Sequence, residues 1–469
     1  MRSQLRAAKA KVLATLGPAS EERDVVRTLA ERGADAFRLN LSHGDPEWHR
    51  RMAGIVREET EDTPVAILAD LQGPRIRIGD LDEPVKLADG DEVLIAGGES
   101  DGASLPTTYP GLVQDVKPGD RLLIDGGMVE LRVIATEEGR VRCRVVAGGT
   151  VKTRKGINLP GVDLSTPTLT EKDRDDARLA VEFGADYLAL SFVRSPQDIE
   201  ELRSLLADLG ADIPIIAKIE RGEAVDRIED IVAASDGVMV ARGDLAVEIS
   251  HEAVPGVQKR IIAQANAAGK LVITATEMLQ SMVNNPNPTR AEAADVANAI
   301  LDGTDVVMLS DETSVGGCPA RAVETMGRIA REAETIRREF HFRPPLEPDD
   351  SFAGAVADAA CTAADKLNAA AIVVFTMTGQ TARLVAQRRP ATRIIACTTT
   401  EKIRRRLRLR WGIIPLMLEE VHDADELVER ADERLKESGL AQKGDVIVIV
   451  GGAGPLTGAT NFTKMHRVR

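Results

Sequence analysis

The stretch IPIIAKIERGEAVDRIEDIVAASDGVMVARGD, residues 213–244, sets two short apolar runs, PIIAKIE and GVMVAR, on either side of a charged segment of helical texture. Each run is too short for a helix and apolar at successive positions, as in strands buried on both faces; a helix between two such strands is the unit of a parallel sheet. Each run also ends in charge, Lys218 and Glu220 in the first, Arg242 and Asp244 after the second. Along an extended strand Lys218 and Glu220 fall on the same side. They form either a salt bridge that closes a buried strand or two parts of a chemical site, and the stretch alone does not choose.

The same rhythm extends in both directions. KVLATL (11–16), DAFRLNLS (35–42), VAILADL (65–71), YLALSF (187–192), PIIAKIE (214–220), GVMVAR (237–242), LVITAT (271–276) and VVMLS (306–310) are candidate strands. Most are separated by helical segments such as SEERDVVRTLAERG, SPQDIEELRSLLADLG and TRAEAADVANAILDG, several opening on Ser, Thr or Pro and closing on Gly. Eight strands in this order predict an α/β fold built on a (β/α)8 barrel, with an open doubly wound sheet as the alternative. About a hundred residues of different texture interrupt the rhythm after the third strand, with short Val/Ile/Leu runs punctuated by Gly, Asp and Pro. They predict an inserted antiparallel β domain. After the linker FHFRPPLEPDDS (340–351), the runs AAIVVFT, TRIIACT, GIIPLML and DVIVIVGG predict a smaller C-terminal α/β domain with a mainly parallel sheet. The expected division is barrel 1–72, inserted lid 73–167, barrel 168–343 and C-terminal domain 344–469. No short-period repeat or low-complexity tract is evident.

Composition narrows the function. A net charge of −14 argues against nonspecific binding to nucleic acid or an anionic membrane, so an anionic substrate must meet a local positive pocket. The four cysteines, Cys143, Cys318, Cys361 and Cys397, have no metal-ligand spacing and read as idle thiols of a reducing compartment. The N-terminal apolar run is too short for a signal peptide, and no stretch reaches the length of a membrane span. The expectation is a soluble, cytoplasmic protein.

In a (β/α)8 barrel the active site lies at the carboxyl ends of the strands. Here those ends carry Arg38, Asn40, Ser42 and His43; Asp70; Lys218 and Glu220; Arg242, Gly243 and Asp244; Thr274, Thr276 and Glu277. Glu220 and Asp244 offer hard oxygen ligands suited to Mg2+ or Mn2+, while Lys218 and Arg38 offer the positive charge that phosphoryl transfer requires. Gly243 and Asp244 should open a helix or tight loop whose free N–H groups can hold a carboxylate or phosphate. Singly, Glu220 with Lys218 reads equally as a salt bridge, Asp244 as a helix cap and Thr276 as an ordinary strand threonine. Arg38 on an apolar strand is harder to read structurally, because a buried unpaired guanidinium is costly. The convergence of five strand ends is what points to a site.

The motifs KVLATLGPAS, FRLNLSHG, DLQGPRIRIG, KGINLPG, IIAKIERGEA, VMVARGDLAVEI, TATEMLQSM and PTRAEAADVANAILDGTDVVMLS occur in the order found in pyruvate kinases. From about residue 11 to the C-terminus the chain resembles that family. The resemblance implies transfer of the phosphoryl group of phosphoenolpyruvate to ADP, giving pyruvate and ATP at the last step of glycolysis, by a homotetramer that uses Mg2+ or Mn2+. It implies that Arg38 and Lys218 contact the transferring group, Lys218 also the enolate oxygen. Glu220 and Asp244 would bind the metal, Gly243 the substrate carboxylate, and Thr276 would serve proton delivery. Arg77 and Lys155 would hold nucleotide phosphates, with Asn40, His43 and Asp125 in lesser roles. A β domain that carries Lys155 over the barrel would act as a water-excluding lid.

Departures from the family pattern carry information. Many relatives read DTKGPEIRTG and need K+ near the positions of Asn40, Ser42, Asp70 and Leu71. Others that are similar to this chain read Leu, Gln and Lys, and do without the ion. With Arg75 at the lysine position, the resemblance implies K+-independence, the guanidinium standing in for K+. Glu277 and Asp311 add negative charge where Gln and Gly are usual. In the C-terminal domain, TMTGQTARL and GGAGPLTGATN resemble the loops of an effector site for a phosphosugar or nucleotide. Its candidate residues are Thr376, Thr378, Gly379, Gln380, Thr381, Gly454 and Gly458, although Gln380 stands where arginine is common. Two other functions fit a barrel of this kind: a metal-dependent lyase that forms a pyruvate enolate without ADP, and a phosphoenolpyruvate sensor without catalysis.

Overall fold

The structure is a computed structural model that describes residues 8–98, 103–137, 139–339, 351–419, 424–452 and 460–469. Its centre is a closed barrel of eight parallel strands: β1 (Lys11–Thr15), β2 (Ala36–Asn40), β3 (Ala66–Asp70), β4 (Tyr187–Leu190), β5 (Ile215–Ile219), β6 (Gly237–Ala241), β7 (Leu271–Ala275) and β8 (Val306–Leu309). Strand β1 pairs with both β2 and β8, which closes the ring and excludes the open sheet. The strands are apolar without alternation because both faces are buried. Leu13, Leu68, Ile216, Met239 and Ile273 fill the interior, while Val12, Ile67, Ile215, Val238 and Val272 pack against the surrounding helices.

Helix boundaries follow their end residues. Thr289 makes a capping box with Glu292 before Arg290–Asp302, and Gly303 ends that helix at φ +112°. Ser195 with Asp198 opens Pro196–Asp208 in the same way.

The floor of the barrel repeats one device at alternate strands. An aspartate precedes each even strand: Asp35, Asp186, Asp236 and Asp305. Each gives its backbone N–H to a carbonyl of the neighbouring odd strand, at Val12, Ile67, Ile215 and Val272. Each then accepts the N–H of that same residue on its carboxylate, at 2.9–3.0 Å. All four carboxylates carry an arginine counter-ion. Arg203 serves Asp236 from within the barrel, whereas Arg408, Arg405 and Arg389 come from the C-terminal region to Asp35, Asp186 and Asp305. The tripeptides GAD, GAD, ASD and GTD that end in these aspartates are the sequence trace of the device.

Between β3 and β4 lies a six-stranded sheet in the order 157–158, 121–124, 129–137, 140–147, 92–97, 105–107, with a separate pair formed by 85–87 and 149–151. It has its own core, including Ile78, Ile95, Leu122, Leu131 and Val141. The expected antiparallel pairing holds except between Glu92–Gly97 and Leu105–Thr107, which run parallel. The C-terminal sheet has four parallel strands, Ala371–Phe375, Arg393–Thr398, Ile413–Met417 and Val446–Gly451, and one antiparallel edge strand, Phe462–Arg467. The edge strand carries a polar, partly exposed sequence and had no counterpart in the apolar runs. Cys143 and Cys397 are buried, which pushes both thiols up to about 12. Among the described residues, no helix is long and apolar enough to cross a membrane.

Candidate active site

At the carboxyl ends of β2 to β5 the structure gathers a buried charge network. Asp70 ends β3 and is almost fully buried. Its Oδ2 accepts from Arg38 Nε at 2.6 Å, and its Oδ1 lies 3.2 Å from Lys218 Nζ. Arg38 Nη1 also donates to Thr15 Oγ1 at 3.2 Å. Lys218 Nζ further donates to Ser191 Oγ at 2.6 Å and lies 3.0 Å from Glu220 Oε1. Glu220 Oε2 accepts the N–H of Phe192 at 2.7 Å, from a residue held at φ +55°.

Lys218 and Glu220 thus form an ion pair, and that pair is one link of a longer chain. Burial alone would lower the Lys218 pKa, but Asp70 and Glu220 outweigh it and hold the ammonium above the ordinary lysine range. Burial would likewise raise Asp70, yet Lys218 and Arg38 hold it below the usual carboxylate range. Glu220 moves the other way. Burial pushes its carboxyl up against the pull of Lys218, and the nearby Asp244 charge adds to the rise. Lysine and glutamate both shift upward for different reasons: the two acids around Lys218 outweigh its burial, whereas Glu220 rises chiefly through burial, with the Asp244 charge adding to it.

Asp244 lies in the first turn of the helix Arg242–Ile249 that directly follows β6. The N-cap, Ala241, offers no side chain to the first N–H groups. The Gly243 N–H is taken by Thr276 Oγ1 at 2.8 Å, and that hydroxyl donates to Ala275 O at 2.7 Å. Thr276 and Glu277 both adopt left-handed backbone, at φ +68° and +55°. Such conformations cost about 1–3 kcal/mol each and persist only where surroundings impose them. Arg242 is the restraint: it donates to Ala275 O and Thr276 O and pairs with Asp295 at 2.7 Å.

A cleft of about 390 Å³ separates this face from the inserted domain. Gly243, Asp244, Glu277 and Phe192 line it on the barrel side, Arg75, Arg77 and Asp125 on the other. Lys155 reaches this wall through Asp125, Nζ to Oδ1 at 2.9 Å. Arg77 donates to the Arg154 carbonyl and lies opposite Gly156 in a β-bridge. Asn40 Oδ1 accepts the Ser42 N–H at 3.2 Å. The exposed His43 is held below the usual histidine range by partial burial and by the charges of Arg75, Arg77 and Arg38, with Asp311 opposing them. Arg75 is exposed and has no salt-bridge partner among the described residues. The Leu71 carbonyl accepts from Ser191 Oγ at 2.7 Å.

Two contributors escaped the sequence reading, Ser191 and Phe192. Both stood at the end of the fourth candidate strand, YLALSF, but a serine and a phenylalanine carry no charge signal.

Among the described residues, no three His, Cys, Asp or Glu side chains converge to cage a metal. The fitting arrangement is an open one: two acids, Glu220 and Asp244, the second near enough for its charge to add to the rise of the first. That suits Mg2+ or Mn2+, which keep positions for water and substrate oxygens.

In the C-terminal domain the Gly379 N–H donates to Thr376 Oγ1, and the Gln380 N–H to Thr378 Oγ1, at the start of the helix Gln380–Gln387. Thr381 Oγ1 meets Thr460 Oγ1 at 2.5 Å. Gly454 and Gly458 lie outside the described residues.

A closed parallel barrel with two cations, Arg38 and Lys218, and three carboxylates, Asp70, Glu220 and Asp244, at its carboxyl face, covered by an inserted β domain, fits a phosphotransferase of the lidded barrel class. Comparison with known proteins agrees. The family model described as "Pyruvate kinase, barrel domain" matches residues 7–323, and "Pyruvate kinase, alpha/beta domain" matches residues 354–466. The chain is 45% identical to the pyruvate kinase of Corynebacterium glutamicum over 465 residues, covering 98% of this chain and 97% of the relative. It is 44% identical to that of Mycobacterium tuberculosis over 467 residues, 98% of each, and 41% identical to that of Clostridium perfringens over 475 residues, 98% of this chain and 100% of the relative. The chain belongs to the pyruvate kinase family.

Proposed function

We propose that the chain transfers the phosphoryl group of phosphoenolpyruvate to ADP, giving pyruvate and ATP, as the closing step of glycolysis. The observation that carries this reading is Lys218, an ammonium kept charged in a buried site by Asp70 and Glu220. Such a charge, preorganised and shielded from water, stabilises the phosphoryl group in flight and then the enolate oxygen. Arg38, oriented by Asp70 and Thr15, supplies a second charge to the same group. The helix N-terminus at Gly243 binds the substrate carboxylate once the Thr276 hydroxyl releases the Gly243 N–H. That hydroxyl belongs to the proton-delivery side. Arg77 and Lys155 bind nucleotide phosphates, with Asn40, His43 and Asp125 in positioning roles. Glu220 and Asp244 are the residues that would hold Mg2+ or Mn2+, which supplies Lewis-acid neutralisation of phosphoryl and enolate oxygens when bound.

The finer reading is K+-independence, with Arg75 near His43 and the mouth of β2 supplying the charge. The domain boundaries of the sequence reading, homotetrameric assembly, a cytoplasmic location and a phosphosugar or nucleotide effector on the Thr376–Thr381 loop also belong to it. The test is pyruvate release from phosphoenolpyruvate with and without ADP, each with and without Mg2+. Release that needs both supports the kinase. Release without ADP indicates the lyase, and no release indicates the sensor.

A further inference from the structure

The inserted domain joins the barrel by two crossings of unlike construction. The outgoing crossing, 71–76, turns at Gly73, where φ is +68° and an added Cβ would sit 2.8 Å from the Phe192 ring. Leu71, at its start, is tied to the barrel by its N–H to Ala189 O at 3.0 Å and by Ser191 Oγ on its carbonyl at 2.7 Å; at the turn itself the barrel supplies Asp173 Oδ1, which accepts the Gly73 N–H at 3.0 Å.

The returning crossing, 162–168, is gripped by two arginines. Arg221 Nη2 donates to Val162 O at 2.8 Å. Arg194 Nη1 donates to Leu164 O at 2.6 Å, Nη2 to Thr166 O at 3.1 Å and Nε to Thr168 Oγ1 at 3.2 Å. Carbonyls at every second residue of extended chain point the same way, so the two guanidinium groups occupy the place of a neighbouring strand. Both arginines are themselves fixed. The N–H groups of Arg194 and Ser195 donate to Asp198 Oδ2 at 2.8 and 2.9 Å, in the cap of the following helix. Arg221 is buried, pairs with Glu223 and directly follows Glu220. The loops after β4 and β5 therefore place Glu220 and hold the returning crossing at once. Both arginines line the cleft, yet every contact named above is to the chain itself.

We propose that Arg194 and Arg221 are positioning residues for the lid. They pin the returning crossing, so that the inserted domain pivots about the outgoing one near Gly73 and brings Arg77 and Lys155 to a repeatable place over the barrel. The inference rests on the reading of Arg77 and Lys155 as nucleotide-phosphate ligands. Loosening the pin degrades nucleotide binding and leaves phosphoenolpyruvate binding intact, because the substrate residues sit on the barrel.

The test uses the full chain with Arg194→Gln, Arg221→Gln and Arg194→Lys, reading KM for each substrate and amide hydrogen exchange by segment. Removing charged hydrogen bonds of this kind should raise KM for ADP at least about tenfold and leave KM for phosphoenolpyruvate within about twofold. Exchange should quicken over 162–168 and stay unchanged in Ile215–Ile219. Arg194→Lys should fall between, since an ammonium cannot serve two carbonyls and a hydroxyl in one plane. Equal rises in both KM values, or an unchanged KM for ADP, would overturn the proposal. So would faster exchange in the barrel strands of all three variants, for the arginines would then hold the barrel rather than the lid. If the unsubstituted chain releases no pyruvate in response to ADP, the functional reading itself fails; if it does and the variants match it, only the pin fails.

Discussion

Replacing Lys218 by methionine removes the ammonium that joins Asp70, Glu220 and Ser191 and keeps most of the side-chain volume. Three contacts, at 2.6, 3.0 and 3.2 Å, are lost. Removing one partner of a buried ion pair costs about 3–5 kcal/mol. Asp70 keeps Arg38 at 2.6 Å, and Glu220 keeps the Phe192 N–H at 2.7 Å. The stability loss should therefore fall at the low end of that range, about 3 kcal/mol. Catalysis should suffer far more, since a cation placed on a transferring phosphoryl group is worth about 10³–10⁵ in kcat. Divalent-ion binding should change little, because both acids remain. The assay pairs pyruvate release under saturating substrates with Mn2+ titration calorimetry on the same preparation, and runs Glu220→Ala alongside. Lys218→Met should be nearly inactive with Mn2+ affinity within about tenfold of the parent, whereas Glu220→Ala should lose the ion outright. If the lysine variant loses Mn2+ as completely as the glutamate variant, or keeps more than about a tenth of kcat, the pair is structural and the reasoning fails.

Three other outcomes follow from the same geometry. Turnover in K+-free buffer should barely respond to added KCl, and Arg75→Glu should create a K+ requirement; strong activation of the parent by KCl refutes the substitution of ion by guanidinium. Arg389 pairs with Asp305 at 2.7 Å and lies 4.8 Å from the Trp411 ring, so Arg389→Gln should destabilise the chain by about 2–4 kcal/mol and shift Trp411 emission; an unchanged unfolding midpoint argues against the anchor. Glu334 Oε1 accepts the N–H groups of Lys9 and Ala10, and burial raises its carboxyl pKa. A raised acid binds its proton more tightly when folded, so its stabilising share is full below the ordinary glutamate range and is lost as pH rises through the folded pKa. Glu334→Gln should flatten that part of the stability–pH curve in thermal unfolding, and an equal slope in both proteins counts against it.

The barrel was legible because its chemistry is local. Strands such as VAILADL and LVITAT are buried on both faces, so hydrophobicity announces them without reference to the rest of the chain. Thr289 and Gly303 mark a helix for the same reason, since a cap is satisfied within a few residues of itself. The edge strand Phe462–Arg467 was not legible, because an exposed edge needs no apolar pattern. In the site, charge made Arg38, Lys218, Glu220 and Asp244 visible. Ser191 and Phe192 were invisible because they act through a hydroxyl and a backbone N–H.

By itself the sequence determined which residues lie on which strand ends, since strand period and length depend only on neighbours along the chain. It could not determine what Lys218 holds. Asp70 lies 148 positions away along the chain, and only closure of the barrel brings the two within 3.2 Å. Nor could it show that Arg389, Arg405 and Arg408 answer aspartates on the barrel floor, or that Arg194 and Arg221 grip the returning crossing of the lid. A buried charge is tolerated only with its partner in place, and that partner is chosen in three dimensions.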